Sequence, residues 1–347
     1  MLSICSKITG TNEFLTYSGK KWSWQQDPDQ YLFGGQGARS IEPLLRIHGI
    51  KLEELIEKKW KTMTQELGLE RPNFIGLIGP SFRRMLAKRT IEAFEHMQSI
   101  KEHKYTGFYY DTNEWLWTLS GAPIDYTRYH SIKAMGHSLS LCHKNGLIEE
   151  IRYDRSKIKT GRLSVIQGPQ IMTMKAEWRN IAKGCRQIDF SSMEPLFLLN
   201  LSGHQVEGDL YEWVAKKANL KGDRTYTKIA IISSMYGSKQ VPEVSKLFAL
   251  DEWCSQLEAH VSDGVIENYY GRPIQCGDTK GRHLLSFWLQ SSAADAAIKG
   301  FAQFFRNNLQ FSPHWIIHDA CIFSGEGSVP SEIIIDGMKF PIKCGEV

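Results

Sequence analysis

The sequence predicts an α+β protein, and three observations carry that expectation. Long helical patterns recur at 51–68, 80–103, 223–236 and 286–307. Short apolar runs end in acids, Gln187-Ile188 before Asp189 and Trp315-Ile316-Ile317-His318 before Asp319. The second of these runs into Ala320-Cys321-Ile322-Phe323, apolar flanks around a polar turn, which is the pattern of a β-hairpin.

Taken in order, residues 1–45 read as irregular, rich in glycine and aromatics (Trp22, Trp24, Tyr31, Phe33, then Gly34-Gly35-Gln36-Gly37). Lys51 to Gly68 places Leu52, Leu55, Ile56, Trp60 and Met63 on one side of an amphipathic helix. Pro80 to about His103 predicts a second helix, with Phe82, Met85, Leu86, Ile91, Phe94 and Met97 inward and Arg83, Arg84, Lys88 and Arg89 outward. Residues 104–150 mix aromatics with turn formers and read as short strands, with 110–114 as a loop. Strand, turn and strand follow in 151–205, then a strand at 187–190 and a helix from about Met193. Helices are expected at 209–220 and 223–236, helix then loop over 240–283, and a long helix at 286–307 favoured by Ala293, Ala294, Ala296 and Ala297.

The bulk numbers describe an ordinary globular chain. At 347 residues it has ample core for one large domain or a few subdomains. A net charge of +4 is too mild to argue for nucleic acid from the total, so any such argument rests on local placement. The seven cysteines form no CxxC pair, which points to reduced thiols in a cytosol-like compartment and away from a disulfide frame or a zinc site. No secretory leader and no membrane span is expected, and the location read from this is cytoplasmic.

The chemistry concentrates in Arg224, Lys228, Ile232 and Tyr236, four positions spaced by four and followed by Gly237. On a helix that spacing makes one row, because 3.6 residues complete a turn. Two cations one turn apart suit a polyphosphate, and an aromatic two turns further suits a base. The row alone equally describes a solvated basic face running into a glycine stop. The two strand-tip acids sharpen the choice. Two carboxylates on neighbouring strands can share a pair of hard cations, and magnesium takes few protein ligands when phosphates supply the rest. A competing role for Asp189 is to cap the helix that follows Ser191-Ser192.

Five blocks, in order, resemble the polymerase core of family A DNA polymerases, the group that includes bacterial DNA polymerase I and related phage enzymes. Thr160-Gly161-Arg162-Leu163-Ser164 is similar to the TGRLS segment, and Asp189-Phe190-Ser191-Ser192-Met193-Glu194 to motif A. The 224–237 helix is similar to motif B, His318-Asp319-Ala320 to motif C, and Gln290-Ser291-Ser292-Ala293-Ala294-Asp295 to a QGTAAD segment. The resemblance covers roughly residues 150–325.

It implies a right-hand polymerase: an antiparallel-sheet palm in 151–205 and 284–347, helical fingers in 206–283, and an N-terminal segment with a reduced helical thumb in 1–150. Asp189 and Asp319, with the carbonyl of Phe190, would hold two Mg2+ ions, for which Mn2+ can substitute. Arg224 and Lys228 would grip the incoming dNTP, Lys228 also protonating pyrophosphate. Ile232 and Tyr236 would lie against sugar and base, and Glu194 would crowd the sugar's 2′ side. Arg162, Gln170, Gln290, His318 and Gly237 would meet the DNA. The implied partners are primer–template DNA, dNTPs and a processivity or replisome protein, for a monomer without proofreading, in the host cytoplasm if phage-encoded.

The chain departs from the family pattern at several points. Ala320 stands where a glutamate is usual, Ile232 where Phe or Tyr is, and Ser286 where Asn is common. The Arg162-to-Asp189 gap is shorter than the family's, which puts Gln170 in doubt. Tyr236-Gly237-Ser238-Lys239 is also similar to single-subunit phage-type RNA polymerases, so an RNA-synthesising or primer-making enzyme is the alternative; Glu194 and the TGRLS block favour DNA. Ala320 motivates a further alternative, an inactive nucleic-acid-binding homologue.

Overall fold

The computed structural model describes residues 4–6, 14–25, 30–33, 40–52, 80–135 and 143–347. The chain divides into two compact units, Met1–Trp117 and Thr118–Val347.

In the first unit, strands β1 (Ile4–Ser6), β2 (Phe14–Tyr17), β3 (Trp22–Gln25) and β4 (Gln30–Phe33) form one sheet in the order β3-β2-β1-β4. This corrects the irregular reading of the N-terminus. Aromatic residues suit a pleated surface, and they use it here: Tyr17 packs on Trp22 at 5.1 Å and edge-on against Phe94 at 5.3 Å. The Gly34–Gly37 cluster lies outside the described residues, as does nearly all of the helix expected at 51–68. Helix α1 is Glu42–Ile47, α2 is Pro80–Ile100 and α3 is Lys104–Leu116. In α2, Met97 is buried as expected, while Met85, Ile91 and Phe94, also expected inward, are half-buried; Ala93 and Ile100 are buried, and so is Arg89, which was expected on the outer face. Helix α3 replaces the strands expected after 104 and absorbs the supposed loop at 110–114. Tyr105, Tyr109 and Leu116 are buried at helical spacing, and the ring of His103 caps the first turn by accepting from the Tyr105 N–H.

The second unit begins earlier than the 150 boundary. Residues from 118 on are stitched to it: Ser120 donates its N–H to the Pro313 carbonyl at 3.1 Å, and Ile124 bridges Ala182. Helix α4 (Tyr126–Ala134) is followed by two short hairpins, β5–β6 (His143–Lys144, Leu147–Ile148) and β7–β8 (Arg152–Asp154, Ser164–Gln167). Strand β9 (Arg186–Phe190) runs into α5 (Met193–Leu201). Then come α6 (Leu210–Lys217), α7 (Arg224–Tyr236), α8 (Pro242–Leu247), α9 (Leu250–Ala259) and the β10–β11 hairpin (Val265–Glu267, Pro273–Gln275). Helix α10 (Gly281–Asn307) leads to β12 (Ser312–Ile317), β13 (Ala320–Ser324), β14 (Glu332–Ile335) and β15 (Met338–Glu346).

The architectural centre is a five-stranded antiparallel sheet, β12-β13-β9-β15-β14, backed by α10. The helix lies close because its facing residues are small. A Cβ on Gly300 would stand 2.6 Å from Ile335 Cδ1 and 3.0 Å from the Phe190 ring, and Ala293, Ala296 and Ala297 are buried beside it. Phe190 packs against Phe301, ring centroids 4.9 Å apart and tilted by 36°, between sheet and helix. Alternation along β9 then sends Ile188 and Phe190 into this core and Asp189 to the opposite face.

Two buried polar features tie the peripheral hairpins to this centre. The Tyr153 hydroxyl accepts from the Ile316 N–H at 2.8 Å and donates to the Ile316 carbonyl at 2.9 Å, anchoring β7 to β12. Arg155 and Asp295, both fully buried, pair at 2.6 Å, and Asn268 donates to the same carboxylate at 2.8 Å. Arg272 donates to the Arg155 carbonyl and fills the space where a Cβ on Gly161 would be. The segment leading to Arg162 is thereby fixed on α10. Among the described residues no helix is long and apolar enough to cross a membrane.

Candidate active site

Asp189 lies directly opposite Ala320 of β13 and Lys343 of β15 in the sheet register. Directly opposed residues share a face, so Ala320, Asp189 and Lys343 form a row across it. Asp189 is a strand residue and not a helix cap; the N-cap of α5 is Ser192, in the left-handed region at φ 56. Asp319 sits in the two-residue turn between β12 and β13, after His318 at φ 57. The Phe190 N–H donates to the Asp319 carbonyl at 3.0 Å, which joins the two acid-bearing segments.

Burial, then the charge of Asp319, raises the Asp189 carboxyl from 3.8 to about 6, against the pull of Lys343 and Arg179. Burial raises Asp319 as well, opposed by its own backbone N–H, His318 and Arg162. Two close carboxylates whose protons are hard to remove form a donor set that a cation would relieve. Among the described residues no group of three or more His, Cys, Asp or Glu side chains could hold an ion, so the side-chain donors here are sparse.

Helix α7 starts at Asp223, whose side chain accepts from the Tyr226 N–H at 2.7 Å, and stops at Gly237 with φ 78. A side chain there meets two obstacles, the positive φ and Arg282 Cβ at 2.9 Å. Thr227, Ala230, Ile231, Ser234 and Met235 are buried, which leaves the 224–228–232–236 row on the other side.

That row borders two adjoining cavities. One, of about 460 Å³, is lined by Asp189, Phe190, Arg224, Lys228 and Lys343. The other, of about 260 Å³, is lined by Glu194, Ile232, Tyr236 and Asp319, with Arg162, Gln290 and His318 at its wall. Ser192 and Tyr211 line both, and the Ser192 hydroxyl donates to the Tyr211 hydroxyl at 2.9 Å. The first gathers three cations, Arg224, Lys228 and Lys343, with two acids, Asp189 and the Asp209 that also lines it. The second is a more apolar chamber beside Asp319.

Side-chain contacts position the lining groups. Glu194 accepts from the Tyr236 hydroxyl and from Arg162 at 3.1 Å. Burial raises its carboxyl above the usual range, Arg162 opposes this, and Asp319 adds to it. Gln290 donates to Ser286 at 3.2 Å, which accounts for a polar residue at 286. Gln170 is exposed, precedes a 3-10 turn at Ile171–Thr173, and lines neither cavity. Gly237 lines neither cavity as well.

Sequence reasoning missed Asp209 and Lys343. Asp209 binds Arg224 through Nε at 3.2 Å and Nη2 at 2.9 Å, while its other oxygen caps α6 by accepting from Tyr211 and Glu212 N–H. Arg224 also lies over the Tyr211 ring at 4.5 Å. The Asp209 cap was visible as an acid just ahead of a helical pattern; its hold on Arg224 was not.

No family model matches the chain, and no curated protein sequence does. The fold is similar to the POL domain of Pol1 from M. smegmatis, solved in complex with DNA primer-template and dNTP, with 18% identity and a TM-score of 0.45. The similarity covers 63% of this chain and 50% of that one, so the chain matches about half of that solved length.

Proposed function

We propose that the chain is a template-directed DNA polymerase that adds dNTPs to a primer 3′-hydroxyl and lacks proofreading. The observation that carries this reading is the meeting of two sheet-borne acids with a cationic chamber on one side and an apolar, Glu194-gated chamber on the other, both bordered by one helix. In this reading the five-stranded sheet is the palm, residues 206–283 are the fingers, and a reduced thumb is assigned to the N-terminal segment.

Asp189 and Asp319, with the Phe190 carbonyl, would hold Mg2+. When bound, the ions lower the pKa of the primer hydroxyl and neutralise charge on the triphosphate. Every other contribution comes from side chains. Arg224 and Lys228 bind the triphosphate oxygens and orient the nucleotide for in-line attack. Lys228 gives a proton to the leaving pyrophosphate. Tyr236 and Ile232 border the sugar and base, and Glu194, held by Tyr236 and Arg162, excludes a 2′-hydroxyl. Arg162, Gln290 and His318 contact the duplex end without reading sequence.

The test is primer extension on a defined template with Mg2+ or Mn2+ and either dNTPs or rNTPs. Extension with dNTPs is expected, and Asp189→Asn or Asp319→Asn abolishes it while DNA binding persists. Extension by rNTPs at equal or better efficiency transfers the reading to an RNA-synthesising or primer-making enzyme. Binding of primer–template with no extension under any condition makes the chain an inactive homologue.

A further inference from the structure

We propose that Lys343 is a third polyphosphate-binding cation, reaching from the sheet toward the same phosphates that Arg224 and Lys228 reach from the helix. The inference rests on the polymerase reading above. Three observations carry it.

First, Lys343 lines the cavity that also holds Asp189, Arg224 and Lys228, so three cations from two separate elements face one space. Second, its position on the sheet is set by register. It stands directly across from Asp189 and on the same face, because opposed residues in an antiparallel pair project together. A group bound next to Asp189 is therefore within reach of a lysine stem. Third, Lys343 is exposed, and among the described residues no carboxylate lies within ion-pair distance of it. Lys339, on the same strand, instead pairs with Glu332 at 3.7 Å. The opposite neighbour of Asp189 in the row is Ala320, which offers no third carboxylate to engage the lysine.

The geometry distinguishes Lys343 from the helix cations in one respect. Arg224 is already held by Asp209, and Arg224 and Lys228 both belong to α7. Lys343 belongs to the strand paired with that of Asp189, so the sheet itself fixes its place relative to that acid. It is therefore suited to retain the part of the polyphosphate nearest the acids, including the pyrophosphate released by the reaction. Lysine serves as a mobile point charge for phosphate, so arginine is a reasonable replacement and a neutral residue is not.

The experiment measures binding of inorganic pyrophosphate and tripolyphosphate by calorimetry, without metal, for wild type, Lys343→Ala, Lys343→Arg and Lys339→Ala. Extension kinetics with dNTPs are measured on the same four proteins. Lys343→Ala is expected to weaken both inorganic ligands and to raise the dNTP KM by about tenfold, the value of one charge-assisted contact. Lys343→Arg is expected to restore most of this, and Lys339→Ala to match wild type. Unchanged inorganic-phosphate affinity in Lys343→Ala overturns the inference, as does a loss confined to kcat with KM intact. If wild type binds the inorganic ligands through Lys343 but extends no primer, the polymerase reading fails while the cation assignment stands.

Discussion

The backbone N–H of Phe190 donates to the carbonyl of Asp319 across 3.0 Å, so the residue after one acid is bonded to the other acid itself. Phe190 is also clamped in the core between Phe301 and Phe340. The main-chain segments that carry the two carboxylates are thus joined by a backbone hydrogen bond and anchored by an aromatic core.

That enforced proximity has a cost in stability without metal. Folding raises the Asp189 carboxyl from 3.8 to about 6. The folded state therefore binds more protons than the unfolded state in that window, and stability falls as pH rises through it. The destabilisation is absent below the lower value and complete above the upper one. With EDTA present, Asp189→Asn is expected to raise Tm at pH 7 and to change little near pH 3.5. The gain is about 1 kcal/mol once partial exposure is allowed for. Thermal unfolding of both proteins across this range checks it, and equal curves at pH 7 refute it.

Glu194 and Tyr236 act as a unit in sugar selection. Removing the carboxylate opens space, and removing the hydroxyl unties it. Glu194→Ala is expected to raise the rNTP-to-dNTP ratio of kcat/KM by roughly tenfold or more, and Tyr236→Phe by less. Single-nucleotide insertion kinetics measure both. A ratio unmoved by Glu194→Ala removes that residue from the gate.

The Arg155–Asp295 pair is a structural liability if broken. Asp295→Ala leaves a guanidinium fully buried without its carboxylate and is expected to cost about 3–5 kcal/mol. Replacing both by apolar residues, Arg155→Met with Asp295→Leu, is expected to recover much of that. Urea unfolding distinguishes the two outcomes. Recovery no better than the single variant means that the Asn268 and Arg272 bonds, and not the charges, carry the network.

Affinity for primer–template DNA is expected to fall steeply with salt, since phosphate contacts release counterions. Arg162→Ala reduces the slope of log affinity against log salt by about one if its contact is to a phosphate. Fluorescence anisotropy at a series of salt concentrations reads this directly, and an unchanged slope assigns Arg162 to other groups.

Much of the site was legible because it is written in local periodicity. Arg224, Lys228, Ile232 and Tyr236 share a face by helical arithmetic alone, and Gly237 ends that helix for reasons visible in the residue type. The acids were legible as the ends of apolar runs. The failures are equally physical. Phe108, Tyr109, Tyr110 and Trp115 are strand-favouring residues, yet they lie in a helix because burial along the segment (Tyr105, Tyr109, Thr112, Leu116) follows the helical period, and tertiary packing overrides weak local preference. The N-terminal strands are three or four residues long, too short for alternation to stand out.

From the sequence alone came the helical row, the hairpin turn with its acid, and the residue types able to handle phosphate and metal, because each depends on neighbours within a few positions. Which of these groups meet was decided only by the tertiary structure. Lys343 reaches Asp189 through strand register, Asp209 takes Arg224 across an intervening helix, and Glu194 gathers Arg162 and Tyr236 from separate elements. Such pairings depend on how sheets register and how helices dock, and those are set by burial of the whole core, which no local spacing encodes.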